Sequence, residues 1–256
     1  MTVLFDFNPP VIAHRGASAY APENTMIAFV KAAQLGIKWI EFDVMQAACG
    51  EPIIFHDDLL DRTTNRRGDV NHYPYVDLRS LDAGSWFDTR FAGEKIPALK
   101  EVMEFLQTYK MFANVEIKSL TGKEAPLVKR VLAEMVAYPE MQNNILYSSF
   151  SVDALYLLRK NSPNCSLGLL LHEWEPSWEK ICAELNCVSV HVNHEIMTLH
   201  AAEKIKSLGK KLLCYTVNDL ARALELYSWG VDAVFSDVPD KIVAGLNKNA
   251  SRSCIG

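Results

Sequence analysis

The amino-acid sequence predicts an α/β fold, a closed (β/α)8 barrel of the TIM type. Eight short β-rich runs alternate with segments of helical periodicity along 256 residues, and a single barrel of this kind takes about 250 residues. The chain is 49% hydrophobic and 22% charged, proportions that suit a globular protein with a large core. We therefore expect one domain over residues 1–256.

The first two predicted strands flank an amphipathic helix. Residues 11–14 (VIAH) form an apolar run, and apolar residues then recur every three to four positions from Thr25 until Gly36 ends the helix. The second strand is residues 39–44 (WIEFDV), and residues 52–57 (PIIFHD) follow after a turn that contains glycine. We expect this last run to leave the barrel.

An irregular segment at about residues 59–97 interrupts the alternation. It is rich in Arg, Asp, Asn and aromatic residues and contains the run RTTNRRGD. Long irregular segments inside compact domains usually serve function or form a small subdomain. The sequence thus predicts a small insertion after the second strand. We expect Trp86, Phe87 and Phe91 to pack within it rather than to line an entrance to the site.

The alternation then resumes for six more strands. These are residues 112–118, 144–150, 166–171, 187–192, 211–218 and 231–237. Helical patterns follow them near residues 123–137, 152–160 and 178–185, and the last helix begins at Pro239. A doubly wound open sheet is the alternative, but no G-x-G-x-x-G follows the first strand, so its dinucleotide-binding form has little support.

The charge and the pattern of apolar residues limit the binding partners and the cellular compartment that we expect for the protein. The net charge of −5 argues against nucleic acid or an anionic membrane, because both require a basic surface. The start MTVLFDFNPP lacks the pattern of a secretory signal, and no apolar run approaches the ~20 residues of a membrane span. We expect a cytoplasmic monomer or homodimer with no stable membrane insertion.

The cysteines are expected to be free thiols. None of the six forms a CxxC pair, and several lie in apolar runs, which favours a reducing compartment. They are Cys49, Cys165, Cys182, Cys187, Cys214 and Cys254.

Three carboxylates lie at or near predicted strand ends. Glu41 and Asp43 are two residues apart on the second strand, so they point to the same side, and Glu116 is on the third strand. Burying like charges together is costly unless a cation neutralises them. An all-oxygen site of this kind suits Mg²⁺ or Ca²⁺ better than zinc.

Two histidines and two cations are also expected at the carboxyl ends of predicted strands. The first strand ends at His14 and Arg15, His56 ends the run PIIFH, and Lys118 lies two residues after Glu116. A cation with Arg and Lys makes a receptor for phosphate, and two histidines can divide the roles of acid and base in phosphoester cleavage. Which histidine is the acid stays open.

The motifs HRG, PENT, EFDV, HDDLLDRTT, VEIK, YTVN and VFSDVPD, in this order between residues 10 and 245, resemble those of the glycerophosphodiester phosphodiesterases, most closely the cytosolic bacterial enzymes. The resemblance implies hydrolysis of substrates such as glycerophosphocholine and glycerophosphoethanolamine to sn-glycerol 3-phosphate and an alcohol. The resemblance also implies a cyclic glycerol phosphate intermediate.

The family pattern also implies the same residue roles. It makes His14 and His56 the catalytic acid and base, and it places Arg15 and Lys118 at the phosphate. The implied metal ligands are Glu41, Asp43 and Glu116. Tyr215, where the family often has Trp, departs from the pattern, as does AACGE at residues 47–51, where T-x-D-G is usual.

Three alternative functions stand beside this interpretation. They are a phospholipase-D-like enzyme acting on lysophospholipids, a non-catalytic phosphodiester-binding barrel and a divalent-independent phosphoinositide lyase.

Four further polar residues are expected to lie outside the chemistry. Structural or rim roles are expected for His191, His194 and His200. Asp237 is expected to close the barrel or cap the last helix.

Overall fold

A computed structural model describes residues 5–118 and 122–253 as nine strands and nine α-helices. The strands are β1 (Val11–Ala13), β2 (Trp39–Gln46), β3 (Pro52–Ile54), β4 (Phe112–Ile117), β5 (Ile145–Ser149), β6 (Ser166–Leu171), β7 (Ser189–Asn193), β8 (Lys211–Tyr215) and β9 (Ala233–Ser236). The helices are α1 (Met26–Gln34), α2 (Tyr75–Leu78), α3 (Leu99–Tyr109), α4 (Glu124–Met135), α5 (Val152–Asn161), α6 (Trp178–Glu184), α7 (Leu199–Ser207), α8 (Leu220–Ser228) and α9 (Pro239–Ser253).

Eight of these strands close into a parallel barrel. The ring runs β1, β2, β4, β5, β6, β7, β8 and β9, and β9 pairs with β1 through Ile12 and Phe235. This closure confirms the predicted TIM barrel and rules out the open sheet. The remaining strand, β3, lies outside this ring and runs antiparallel to the carboxyl end of β2, where Val44 pairs with Ile54.

The segment after β3 shares a small, separate core with residues of β2 and β3. Leu60, Val70 and Leu78 are fully buried within it, together with Ile96. The rings of Trp86, Phe87 and Phe91 meet edge to face, with centroids 5.6–5.7 Å apart. The three aromatic residues therefore pack within the insertion, as predicted.

An aromatic cluster fills the amino-terminal end of the barrel. Trp39 opens β2, and its ring stacks on Phe112 at 5.0 Å and meets Phe7 at 4.7 Å and Phe5 at 5.1 Å. Burial of large aromatic side chains is a main source of stability. We call this cluster the base of the barrel.

The interior above the base is partly polar. His191 is fully buried on β7, and its Nε2 is 2.8 Å from the Ser189 hydroxyl. Gly168 of β6 makes room for this ring, because a Cβ at that position would lie 2.4 Å from Nε2. His191 is thus a core residue, in line with the expectation from the sequence.

The five cysteines within the described residues are free thiols, whereas Cys254 lies outside the described residues. No described helix has both the length and the apolar character to cross a membrane.

Candidate active site

The predicted site residues converge on one cavity at the carboxyl ends of the strands. It has a volume of about 310 Å³. Six of the seven line it, namely His14, Arg15, Glu41, His56, Glu116 and Lys118. The seventh, Asp43, is buried beside them, within 3.3 Å of the Arg15 Nε and 3.7 Å of the Lys118 Nζ.

The HRG turn aims the end of β1 into this cavity. Arg15 and Gly16 have φ angles of 54° and 83°, in the left-handed region where glycine is favoured. A Cβ on Gly16 would lie 2.7 Å from the backbone of Ala28, so only glycine lets the turn pack on α1. The turn also directs the backbone N–H of Arg15 to the Glu41 Oε2, 2.8 Å away.

Three carboxylates meet across two neighbouring strands. Asp43 of β2 stands opposite Glu116 of β4 in the parallel register, and Glu41 lies two residues before Asp43 on the same side of β2. One oxygen from each residue lies within 4.8 Å of the other two. The cluster is almost enclosed, because Glu41 is 3% and Asp43 1% exposed.

The proximity of these groups shifts their pKa values in different directions. Burial and the neighbouring carboxylates raise the pKa of Glu41 well above its usual range, and burial and Asp43 raise that of Glu116 to about 7. Burial also acts to raise the pKa of Asp43, but the charges of Arg15 and Lys118 outweigh it and hold that pKa low. Without another cation, the site carries more negative charge than it can hold ionised.

The donor set fits a hard divalent cation. All three ligands are carboxylates, the type that Mg²⁺ and Ca²⁺ prefer. The Glu41 Oε1 is buried, and no donor in the described parts of the chain reaches it. A bound cation would satisfy this oxygen and would lower the pKa values that burial raises.

The PENT motif supports two members of the site. The Asn24 Nδ2 donates to the Asp43 Oδ2 at 2.8 Å, and the Asn24 Oδ1 accepts the backbone N–H of Asp43 at 3.3 Å. Glu23 accepts hydrogen bonds from Arg15 at 2.7 Å and from two nitrogens of Arg62 at 2.6 and 2.8 Å. The motif therefore holds one carboxylate and one guanidinium in place.

His14 is held by Asp237, a residue from the other end of the chain. The His14 Nδ1 is 2.7 Å from the Asp237 Oδ1, and Ser18 and Asn218 also donate to this carboxylate. Burial acts to raise the pKa of Asp237, but these hydrogen bonds bring it to about 2. The prediction that Asp237 closes the barrel or caps the last helix does not include this contact with His14.

His56 has a different support. Its Nδ1 is 2.5 Å from the Asp57 Oδ1, and the Arg62 guanidinium donates to both oxygens of Asp57, at 2.6 and 3.0 Å. Burial lowers the pKa of His56, although the negative charge of Asp43 acts to raise it. Burial acts to raise the pKa of Asp57, but Arg62 and His56 bring it to about 2.

Apolar and aromatic residues form the opposite wall of the cavity. Phe150 and Tyr215 meet edge to face at 5.9 Å, and Leu170 and Phe235 lie beside them. The Tyr215 hydroxyl donates to the carbonyl of Leu171 at 2.9 Å, which fixes its ring. One cavity therefore presents charged groups on one side and apolar surface on the other.

Comparison with known proteins identifies the family of this chain. The profile described as the glycerophosphoryl diester phosphodiesterase family matches residues 14–241. The chain belongs to this family. It is 32% identical over 233 residues to a glycerophosphodiester phosphodiesterase of Caldanaerobacter subterraneus, covering 91% of this chain and 96% of that protein.

Solved structures agree in fold. A phosphodiesterase of Oleispira antarctica in complex with the product sn-glycerol-3-phosphate superimposes with a TM-score of 0.91 at 38% identity, over 93% of this chain and 97% of that one. A glycerophosphodiester phosphodiesterase of Agrobacterium tumefaciens gives 0.78 at 29% identity, over 95% and 100%. This member of the family is thus an enzyme, a glycerophosphodiester phosphodiesterase of the phosphoric diester hydrolase class.

Proposed function

We propose that the protein hydrolyses glycerophosphodiesters, such as glycerophosphocholine and glycerophosphoethanolamine, to sn-glycerol 3-phosphate and an alcohol, with one Mg²⁺ or Ca²⁺ ion. The observation that carries this proposal is the single cavity that brings two histidines, three carboxylates and two cationic side chains together. The Oleispira antarctica structure, which holds sn-glycerol-3-phosphate, supports the same product for this chain.

His14 and His56 divide the proton transfers between them. Each has its Nδ1 engaged by a carboxylate, Asp237 for His14 and Asp57 for His56. This contact fixes the ring and leaves Nε2 for the substrate. One histidine takes the proton of the attacking hydroxyl, and the other gives a proton to the leaving alcohol.

Arg15 and Lys118 bind the phosphate. The Arg15 side chain lines the cavity, and its Nε lies 3.3 Å from the Asp43 Oδ2 without forming a hydrogen bond, so the guanidinium can bind a phosphate oxygen. The Lys118 Nζ lies 3.3 Å from Glu116 at the edge of the carboxylate cluster. Charge-assisted hydrogen bonds from such groups are stronger than neutral ones.

Glu41, Asp43 and Glu116 would hold the cation, which would supply positive charge to a phosphate oxygen as negative charge develops there. The glycerol hydroxyl next to the phosphate is the attacking group, which gives a cyclic glycerol phosphate that water then opens. The apolar wall of Phe150 and Tyr215 packs against the carbon atoms of the substrate.

We also propose that residues 1–256 act as one domain in the cytoplasm. Residues 59–97 form an insertion that serves the site through Arg62, whose guanidinium joins Glu23 and Asp57. The five free thiols support a reducing compartment.

A coupled dehydrogenase assay for sn-glycerol 3-phosphate tests the proposed reaction directly. We expect product from both substrates, loss of product with EDTA, and recovery with Mg²⁺ or Ca²⁺. The variants His14→Ala and His56→Ala should each lose about 10²- to 10⁴-fold in kcat, whereas His200→Ala on α7 should retain wild-type kcat. Turnover of lysophospholipids without turnover of any glycerophosphodiester would contradict the proposal.

A further inference from the structure

One polar side chain on the floor of the cavity has no role in the chemistry proposed above. Asn114 of β4 is 1% exposed and lines the cavity. It stands opposite Glu41 in the register of β2 with β4 and lies two residues before Glu116 on the same side of its strand. It is therefore a neighbour of two of the three carboxylates.

The amide of Asn114 has its nitrogen toward β5. Its Nδ2 donates to the hydroxyl of Ser148 on β5 at 2.9 Å, and Ser148 is completely buried. The Oδ1 is thereby turned away from β5. No donor within residues 5–118 or 122–253 reaches this buried oxygen.

A buried acceptor without a donor is costly, and few such atoms occur in native proteins. Glu41 and Glu116 cannot satisfy it when a bound cation keeps them ionised, because ionised carboxylates only accept hydrogen bonds. A leucine of similar size would fill the position without that cost. An incoming O–H group resolves the conflict, since it can donate to the Asn114 Oδ1 at the bottom of the cavity.

We propose that Asn114 is a positioning residue whose Oδ1 accepts a hydrogen bond from an O–H group held at the three carboxylates. The group is either a water molecule on the bound cation or a hydroxyl of the glycerol moiety. This inference rests on the proposed function, because both sources belong to it. In each case Asn114 orients the hydroxyl group through Oδ1 and takes no part in proton transfer.

The test uses the full-length chain with Asn114→Leu, which removes the acceptor, and with Asn114→Ser, which keeps a polar group if the leucine variant folds poorly. Ser189→Ala is the matched control, because Ser189 is buried in the same barrel and contacts His191 outside the cavity. Two affinities are measured by calorimetry for each variant. The first is that of Ca²⁺ for metal-depleted protein, and the second compares sn-glycerol 3-phosphate with methyl phosphate at saturating Ca²⁺.

A loss of about 10-fold in Ca²⁺ affinity would identify the metal-bound water as the donor. A loss of about 5- to 10-fold for sn-glycerol 3-phosphate, with no change for methyl phosphate, would identify a glycerol hydroxyl. Affinities within 2-fold of wild type in both Asn114 variants would overturn the inference. Failure of the proposed function is distinct, because wild-type protein would then release no sn-glycerol 3-phosphate.

Discussion

The two ends of the barrel are built from the same strands but from opposite kinds of side chain. At the base, β2 begins with Trp39, which packs among phenylalanines. At the mouth, the same strand carries Glu41 and Asp43, which face Glu116 across the sheet. Only one residue separates the aromatic packing from the first buried carboxylate.

The contrast shows where stability and chemistry are located. The base removes aromatic surface from water, which stabilises the fold. The mouth gathers like charges in a buried place, which destabilises the metal-free protein but prepares a site for a cation and a phosphate. Changes at the base should therefore affect folding, and changes at the mouth should affect chemistry.

The largest effect is expected from Glu41→Gln. We expect kcat to fall about 10³-fold or more, because the cation would lose a ligand. The metal-free variant should resist denaturant better than wild type near pH 7, because the substitution removes a carboxyl group whose ionisation is disfavoured in the folded protein. Assays of sn-glycerol 3-phosphate release and urea unfolding in EDTA measure both quantities.

A matched carboxylate at the base is the control for that experiment. Asp232 precedes β9 and accepts hydrogen bonds from Lys206 at 2.6 Å and Lys211 at 3.0 Å. The variant Asp232→Asn should lose stability and retain kcat. If Asp232→Asn lost activity as severely as Glu41→Gln, the division between mouth and base would be wrong.

Trp39→Ala tests the base itself. Trp39 is 1% exposed, and removal of a buried tryptophan typically costs about 3–5 kcal/mol of the free energy of unfolding. The kcat per folded molecule should stay within about 2-fold of wild type, because the ring lies outside the cavity. Urea unfolding followed by circular dichroism, with kcat corrected for the folded fraction, is the measurement. A large fall in the corrected kcat would show that the base also shapes the site.

Arg62→Ala tests how the insertion supports the mouth of the barrel. Loss of the guanidinium frees Asp57 and Glu23, so we expect kcat to fall about 10- to 100-fold through misplacement of His56 and Arg15. The stability change should stay below about 1 kcal/mol, because the Arg62 side chain is 45% exposed. Arg90→Ala is the control, since this exposed arginine of the same insertion pairs with Asp88 alone among the described acidic groups. Equal kcat values for the two variants would show that Arg62 does not position His56 and Arg15.

The smallest effect on activity concerns His191, which lies between the two ends. Burial lowers its pKa to about 3, whereas an unfolded histidine titrates near 6.5. As the pH falls below about 6.5, the unfolded chain binds a proton that the native chain does not, so stability falls by up to about 1.4 kcal/mol per pH unit until the pH approaches 3. In His191→Gln this part of the slope should disappear. Urea unfolding at several pH values tests it, and an unchanged slope would contradict the assignment.

The sequence predicts the barrel well because its signals are local. Each strand is a short apolar run, each helix repeats its apolar residues every three to four positions, and eight such pairs fit the length of one barrel. The ends of elements are less certain. The strand predicted at residues 211–218 ends at Tyr215 in the structure. The prediction is too long because apolar residues such as Val217 continue beyond the last ladder pair.

The charged groups of the site could also be predicted, but their supports could not. Glu41, Asp43 and Glu116 stand out because carboxylates are unusual in apolar strands. Asp237 acts on His14 from 223 residues away, a contact that exists only because β9 closes on β1. Arg62 lies in an irregular segment, where no periodicity tells which way a side chain points.

The proposed cation site is tested most directly by a titration of metal-depleted protein with Mg²⁺ and with Ca²⁺, in which sn-glycerol 3-phosphate release from glycerophosphoethanolamine and cation binding are followed together. Activity and binding are expected to rise in parallel to one ion per chain in wild type, and both should be lost in Glu41→Gln. Full activity of the metal-depleted protein in EDTA, or wild-type binding by Glu41→Gln, would contradict this expectation.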